Sequence, residues 1–304
     1  MVRGASERNE DGPGFDRYVV VDWSASARPA RGADSVWVCE LERDGPPVAA
    51  NPSTRGEAER LVRGTLLAAS SRGERVLVCF DFPYGYPRGT ADALGLRGEP
   101  WRALWTFLRE RVHDDPDSNR NDRFEVASEI NARLASHAFW GAPIRRSFAH
   151  LSRRRDLVRY RIDPAGAGLA EWRRVEVVLR GRGYRPHSVW QLLGAGSVGG
   201  QALVGIPVVA RLRDDPALSP VSVVWPFEVG TPRFPAGRPA ILHAEIWPSL
   251  TPIGAVEGRV RDDVQVTSLA RQLRAEDRSG ALAALFAAAP PAASRDEGWI
   301  LGVE

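Results

Sequence analysis

The chain contains no lysine, and all 41 of its basic residues are arginine. This absence excludes enzyme classes that need a lysine side chain, such as P-loop NTPases and enzymes with a Schiff base or a lysine general base. A high genomic G+C content is the simplest explanation of the bias. The formal net charge of +3 is too small to indicate nucleic-acid binding by itself.

The sequence also has few cysteines and no long apolar run. Its two cysteines, Cys39 and Cys79, fall in predicted strands, which favours buried reduced thiols over a disulfide or a metal pair. No stretch approaches the roughly 18 apolar residues of a membrane span. Residues 1–16 are polar and glycine-rich and lack the apolar core of a signal peptide, so they predict a flexible tail on a cytoplasmic protein.

Apolar runs and helical periodicity predict an α/β protein. Strands are predicted at 17–23, 35–41, 76–81, 221–227 and 239–246. Helices are predicted at 54–71, 101–112, 123–136, 262–275 and 279–289. This order predicts one domain over 17–304, with a mixed sheet flanked by helices. The mostly helical stretch at about 88–215 is predicted to be an insertion or cap over the strand ends.

Acidic residues stand where predicted strands end and where a late helix begins. They are Asp22, Asp81, Glu245, Asp262 and Asp263. Carboxylates at strand ends converge above a sheet, and such a cluster of negative charge is costly unless a cation neutralises it. Mg²⁺ or Mn²⁺ is the usual cation for hard oxygen ligands. We therefore expect a metal site, with the late ligand being either Asp262 or Asp263.

Each acid also has a structural interpretation that needs no ligand. Asp22 is typical of an aspartate that caps a loop, and Asp81 of an Asx turn before a proline. Asp262 forms a capping-box pattern with Gln265, although it also continues the apolar stripe of its helix and so is predicted to point inward. His243 alternates with Glu245 on one sheet face, where a satisfied core histidine is favoured over a partner of that carboxylate.

The glycine-rich segment at 194–200 allows two other hypotheses. It matches the dinucleotide fingerprint G-x-G-x-x-G, but Pro207 interrupts the region in which a helix and a later acid would be expected. It also resembles a serine nucleophile elbow, with Ser197, Asp214 and His243 in the order of a catalytic triad. The favoured interpretation is a turn that packs closely beside the site.

Two further groups of residues are candidates for contact with substrate. Arginines crowd one segment and suit phosphate or carboxylate partners: Arg145, Arg146, Arg153, Arg154, Arg155, Arg159 and Arg161. Arg145 and Arg146 are the substrate-binding candidates, and a solvated charged surface is the alternative. Ser24 belongs to a loop of small residues that leaves room for a ligand after Asp22. Four aromatic residues near the acids are expected mainly to pack in the core: Trp23, Tyr84, Tyr86 and Trp247.

Together the acids resemble those of the ribonuclease H-like superfamily, and more narrowly a bacterial group of predicted RNase H-like nucleases that carries a domain of unknown function. The matching motifs are Asp22 on a first strand, Asp81-Phe-Pro83 after a central strand and Glu245-Ile-Trp-Pro248. An acidic pair, Asp262-Asp263, opens a later helix. The resemblance covers roughly 17–87 and 220–290. The Trp-Ser-Ala-Ser loop after Asp22 departs from the glycine-rich turn common in that group.

The resemblance implies an RNase H-like mixed sheet and a nuclease. The carboxylates would hold one or two Mg²⁺ or Mn²⁺ ions for hydrolysis of phosphodiester bonds in nucleic acid. Two alternatives remain open. The first is the binding or processing of a nucleotide or another phosphorylated small molecule, although the glycine-rich aspartate loops of that branch are missing here. The second is a non-catalytic scaffold.

Overall fold

A mixed sheet of six strands lies at the centre of the computed structural model, which describes residues 14–155, 169–194, 196–235, 237–251, 254 and 256–304. The strands are β1 (Arg17–Asp22), β2 (Trp37–Glu42), β3 (Pro47–Ala50), β4 (Arg75–Phe80), β5 (Ser222–Val224) and β6 (Ala240–Glu245). Their order in the sheet is β3-β2-β1-β4-β6-β5.

The direction of the strands determines which loops meet. β1, β2 and β3 form an antiparallel meander, whereas β1, β4, β6 and β5 run parallel to one another. In the register of β1 with β4, Val21 pairs with Phe80. The next residues along the two strands, Asp22 and Asp81, therefore lie side by side at the carboxyl edge of the sheet.

Helices cover both faces of the sheet. They are α1 (Arg55–Ser71), α2 (Thr90–Ala93), α3 (Pro100–Arg111), α4 (Arg123–Arg133), α5 (Arg174–Gly181), α6 (Gly199–Asp214), α7 (Arg261–Ser279) and α8 (Ala281–Ala287). α6 packs against α1, α3 and β5, while α7 packs against the antiparallel strands. This arrangement confirms the predicted α/β class with a mixed sheet. In the described part of the chain, no helix is both long enough and apolar enough to cross a membrane.

The residues of β1 explain why both faces need cover. Val19 and Val21 belong to one apolar core, and Tyr18 and Val20 belong to the other. Because successive side chains of a strand point to opposite faces, a near-continuous apolar run predicts a strand buried on both sides. By the same alternation, Asp22 emerges on the face that α7 covers.

Local signals in the sequence predict some elements well. Thr54 caps α1, since its hydroxyl oxygen accepts a hydrogen bond of 3.1 Å from the backbone N–H of Glu57. The carboxylate of Glu57 in turn accepts from the N–H of Ser53 at 2.7 Å. This capping confirms the predicted start of the helix. Cys39 and Cys79 are buried free thiols, as predicted.

Other expectations were wrong. The short strand β3, which begins at Pro47, was not among the predicted strands. Pro207 was expected to interrupt regular structure, yet it lies within the long helix α6. Of the predicted tail, residues 1–13 lie outside the described residues, and Phe15 is fully buried, with its N–H donating to Asp277 at 2.7 Å. The packed chain therefore begins before Arg17.

Candidate functional site

A cleft of about 240 Å³ opens at the carboxyl edge of the sheet, beside the loop that follows β1. The residues that line it and matter for its chemistry are Asp22, Ser24, Asp34, Arg123, Ser197, Gln201 and Asp262. Asp22 and Ser24 come from the end of β1 and the loop after it, and Asp262 comes from the first turn of α7. The cleft thus combines residues from distant parts of the sequence.

Asp22 and Asp81 form a pair of carboxyl groups within hydrogen-bonding reach of each other. Burial raises the pKa of Asp22 well above its usual value, and the charges of Asp81 and Asp262 raise it further. Burial also raises the pKa of Asp81 to about 7, although the N–H of Trp23 donates to its Oδ1 at 2.8 Å and opposes that rise. The pair therefore retains a proton near neutral pH.

No cation compensates this pair. Among the residues that the structure describes, neither Asp22 nor Asp81 forms an ion pair with an arginine or histidine. Two like charges in a partly buried site are unfavourable when both ionise, so a proton or a bound cation must relieve them. The pair has the electrostatic character of a cation site.

Asp262 borders the same cleft from α7. Its Oδ2 accepts a hydrogen bond of 2.8 Å from the backbone N–H of Asp34, and burial raises its pKa. Val260 occupies the N-cap position of α7 without a side-chain capping bond, so the alternative interpretation of Asp262 and Gln265 as a capping box is wrong. Asp263 instead forms a two-point ion pair with Arg259 at 2.6 and 2.7 Å. Of the two late acids, Asp262 is the one in the cleft.

Glu245 has a different environment from the one expected of a metal ligand. Arg173 donates to both of its carboxylate oxygens, at 2.7 and 2.6 Å, and the N–H of Tyr84 donates to one of them at 2.9 Å. Arg173 also binds Glu176 at 2.7 Å, so one buried guanidinium joins two buried carboxylates. The structure does not place Glu245 in the lining of the cleft. Its charge is already compensated.

Asp81 and Glu245 do share a second, much smaller cavity. Its volume is about 20 Å³, which is enough for roughly one water molecule. In the described part of the chain, no three His, Cys, Asp or Glu side chains converge closely enough to form a ready metal site. Asp22 and Asp81 touch, whereas Asp262 acts on Asp22 through its charge alone.

The polar lining of the cleft includes residues that the sequence did not single out. Arg123 begins α4, and Gln201 lies in the first turn of α6, where its side-chain amide donates to the carbonyl of Trp23. Ser24 was predicted to line the site and does so. The glycine-rich segment was also expected to lie beside the site, and Ser197 from that segment is in the lining. The local sequence did not predict a role for Arg123, because no sequence pattern indicates that an arginine will be buried.

The described arginines of the crowded segment do not line the cleft. Arg145 and Arg146 are exposed and are not in the lining of the cleft, and Arg146 pairs with Glu125. Arg155 pairs with Glu171. Arg159 and Arg161 lie outside the described residues. The aromatic residues behave as core: Trp23, Tyr84 and Tyr86 are buried, and the partly buried Trp247 packs edge-on against Tyr184.

Neither alternative site is assembled around the glycine-rich segment. No strand precedes α6 at residues 189–193, so the arrangement that a dinucleotide fingerprint or a nucleophile elbow requires is missing there. Asp214 is paired with Arg102 and Arg109 at 2.9 and 3.0 Å. His243 lies in the core with its Nε2 at 2.8 Å from the hydroxyl of Ser222, and burial lowers its pKa to about 3. The favoured interpretation of a core histidine is confirmed, but the histidine is only half satisfied, because its buried Nδ1 has no hydrogen-bond partner among the described residues.

Comparison with known proteins adds no further evidence about the site. No family model, no curated protein and no solved structure matches this chain. The features that bear on function are therefore the geometry and electrostatics of the cleft, together with the resemblance of the acidic motifs.

Proposed function

We propose that the protein hydrolyses phosphodiester bonds in nucleic acid, with a divalent metal ion held at Asp22 and Asp81. The observation that carries the proposal is the uncompensated carboxyl pair at the ends of two adjacent parallel strands. Asp262 adds a third acid on the same cleft. A structural aspartate pair would gain stability from an arginine in contact with it, yet among the described residues no arginine forms an ion pair with Asp22 or Asp81, although Arg123 lines the same cleft.

The donor set fits Mg²⁺ or Mn²⁺. Both ions prefer carboxylate and water oxygens, and Mg²⁺ usually retains several waters beside one or two carboxylates. Asp22 and Asp81 would supply the carboxylates, and the cleft has space for water and substrate. Since Glu245 is engaged by Arg173, the proposal assigns it a structural role instead of the ligand role that its motif implied. Asp263 is likewise engaged by Arg259.

The residues around the pair have defined tasks in this proposal. The N–H of Trp23 orients Asp81, and the N–H of Asp34 orients Asp262, so that both carboxyl groups are held by rigid backbone. When bound, the metal supplies an activated water and stabilises the charge that develops on the leaving oxygen. The pair must lose its shared proton for the ion to bind, which makes metal affinity fall at acidic pH.

We also propose that the sheet is of the RNase H-like kind. The support is the position of the acids: Asp22 ends the first strand, and Asp81 follows its parallel neighbour β4, which is central in the sheet. This is the placement that the resemblance implied. The helices α2 to α6 between β4 and β5 would then be the insertion expected at about 88–215. They contribute Arg123 and Gln201 to the cleft.

The test is a cleavage assay on labelled single-stranded RNA, DNA and an RNA–DNA hybrid, with Mg²⁺ or Mn²⁺. We expect metal-dependent cleavage by the wild type. In Asp22→Asn the rate should fall by more than the roughly 10- to 100-fold that is typical of residues one layer outside a metal site. The matched control is Asp263→Asn, which removes the same group one residue from Asp262 and should keep the activity.

Two outcomes would change the assignment. Metal binding without cleavage of any of the three substrates would favour a phosphorylated small molecule as substrate. Cleavage that persists in Asp22→Asn would show that the carboxyl pair is not the catalytic centre.

A further inference from the structure

A buried cation, the guanidinium of Arg123, lines the cleft. Arg123 is only 8% exposed, and it forms no ion pair in the described part of the chain. Its Nη1 donates to Oδ1 of Asn121 at 2.7 Å. No described residue accepts a hydrogen bond from its Nε, which is fully buried, or from its Nη2. Most of the donors of this guanidinium are therefore available.

This condition is costly for the folded protein. Burial and, less strongly, the charge of Arg55 lower the pKa of Arg123 to about 10, although the charges of Asp114 and Glu125 oppose the shift, and the side chain remains a cation at neutral pH. The ring of Phe124, with its centroid 4.3 Å from the guanidinium carbon, compensates only part of the charge. Arg55 is even more deeply buried, at 1% exposed, but donates to Asp114 at 2.6 Å and to backbone carbonyls. Arg55 is structural, whereas Arg123 still needs an acceptor.

The start of α6 supplies further free donors. The first residue, Gly199, donates its N–H to the carbonyl of Gln191 at 2.8 Å. In the described structure, no acceptor is present for the N–H groups of Gly200 and Gln201. The capping position, Val198, offers no side-chain acceptor, and no acidic residue lies in the first turn. Free N–H groups at the N-terminus of a long helix favour an anion.

Arg123 and the start of α6 are in close contact. A Cβ atom at Gly200 would lie 3.2 Å from Nε of Arg123 and 3.3 Å from Cβ of Ala25. The missing side chain of Gly200 thus allows the helix start to approach the guanidinium. Ser197, one turn earlier, adds a hydroxyl group to the same lining. Two independent features, an uncompensated arginine and an uncapped helix start, meet at one place in the cleft.

We propose that Arg123 and the N-terminus of α6 form a phosphate subsite that holds the phosphodiester group of a nucleic-acid strand. A guanidinium fork and backbone N–H groups are the donors that proteins use for phosphate oxygens. The choice of a phosphodiester rests on the proposed function, whereas the existence of an anion site does not. Asp22 and Asp262 border the same cleft and repel an anion while they are ionised. Phosphate is therefore expected to bind better once their charge is neutralised.

The experiment is calorimetric titration of inorganic phosphate into metal-free protein in EDTA at low ionic strength. Asp22→Asn is the background, because it lowers the negative charge of the cleft and removes a residue of the proposed metal site. We expect phosphate to bind this protein. Adding Arg123→Met should weaken that binding by about tenfold or more, the usual effect of losing hydrogen bonds to a charged group.

Arg145→Gln is the matched control, since it removes one positive charge from an exposed arginine outside the cleft. It should leave phosphate affinity unchanged. Arg123→Met removes an uncompensated buried charge, so the variant should fold at least as stably as its parent. If it does not fold, Arg123→Gln provides the same test with a polar side chain. Equal affinity with and without the Arg123 side chain would overturn the subsite, and so would the absence of phosphate binding.

A second titration distinguishes the sources of the phosphate. A short oligodeoxynucleotide that binds more tightly than thymidine monophosphate supports a strand, and equal binding of the two contradicts that choice. The measurements contain neither metal nor a cleavage step, so the two proposals can fail separately. Phosphate binding that depends on Arg123, in a protein that binds no metal, would contradict the proposed hydrolysis and support the subsite. Metal-dependent cleavage at a rate that Arg123→Met does not change would contradict the subsite alone.

Discussion

The uncompensated carboxyl pair should make the metal-free protein less stable than a variant that lacks it. Asp81→Asn replaces a carboxyl group that is protonated in the folded protein near neutral pH with a neutral amide of the same shape. The amide oxygen can still accept the hydrogen bond from the N–H of Trp23, which is 2.8 Å long in the wild type. The substitution therefore removes the charge problem with little change in packing.

The magnitude follows from the pKa of Asp81. A rise from the usual value of 3.8 to about 7 corresponds to about 4 kcal/mol of free energy, because each pKa unit is worth about 1.4 kcal/mol. Since the site opens to solvent and the proton is shared with Asp22, we expect roughly 2 to 4 kcal/mol. Because the pKa of Asp81 is raised in the folded state, the protonated carboxyl group contributes this free energy to the stability of the wild type. The contribution is fully present below about pH 4 and is lost as the pH rises to about 7.

Urea unfolding in EDTA between pH 4 and pH 8 measures this effect. The free energy of unfolding of Asp81→Asn minus that of wild type should rise across this range by roughly 2 to 4 kcal/mol, and the variant should be the more stable protein at pH 8. Taking the difference cancels the titration of all groups that do not interact with Asp81, so the change reports on the carboxyl pair. A difference that stays constant with pH, or a variant that is less stable at pH 8, would refute the argument that this pair is electrostatically strained.

The matched control for this series is Asp263→Asn. It removes the same kind of group from a surface ion pair with Arg259, at 2.6 Å. Loss of such a pair destabilises a protein by about 0 to 1 kcal/mol, so the sign should be opposite to that of Asp81→Asn at pH 8. If both substitutions changed stability in the same direction, the gain could not be attributed to the carboxyl pair.

Two further predictions concern the structure around the site, and urea unfolding measures both. Glu245→Gln leaves the buried charge of Arg173 with a weaker partner and should destabilise the protein by about 3 to 5 kcal/mol; a gain in stability would contradict the compensated role of this carboxylate. Gly205→Ala places a Cβ atom 2.4 Å from two ring carbons of Phe82 and should cost about 1 to 3 kcal/mol. The control Gly64→Ala, on the exposed side of α1 where nothing lies within 4 Å, should instead stabilise by about 0.5 to 1 kcal/mol. Equal effects of the two alanines would contradict the packing described for α6.

The elements that the sequence predicted well are those with local signals. β1 and β4 are continuous apolar runs, and the capping interaction of Thr54 with Glu57 marks the start of α1. α6 was missed because its glycine-rich start and its internal Pro207 both have poor helix propensity. Burial of nearly the whole helix against α1, α3 and β5 outweighs that propensity, and such packing is not visible in the local sequence.

The site was predictable to the extent that strand direction determines it. Asp22 and Asp81 follow two apolar runs, and parallel neighbours bring their ends together. The partner of Glu245 could not be predicted, because Arg173 lies 72 residues away along the chain and its position depends on how α5 packs. The same holds for Arg123, whose importance comes from burial and from the absence of a counter-ion. The described arginines of the dense run do not line the cleft, because a run of like charge in the sequence indicates an exposed surface and not a position in the fold.

The decisive measurement is calorimetric titration of Mn²⁺ and Mg²⁺ at pH 8 into the wild type and into Asp81→Asn. We expect the wild type to bind a divalent ion and Asp81→Asn to lose this binding while remaining folded. A wild type that binds neither ion, even with an oligonucleotide present, would contradict the metal site and leave the carboxyl pair as a strained element of an α/β scaffold.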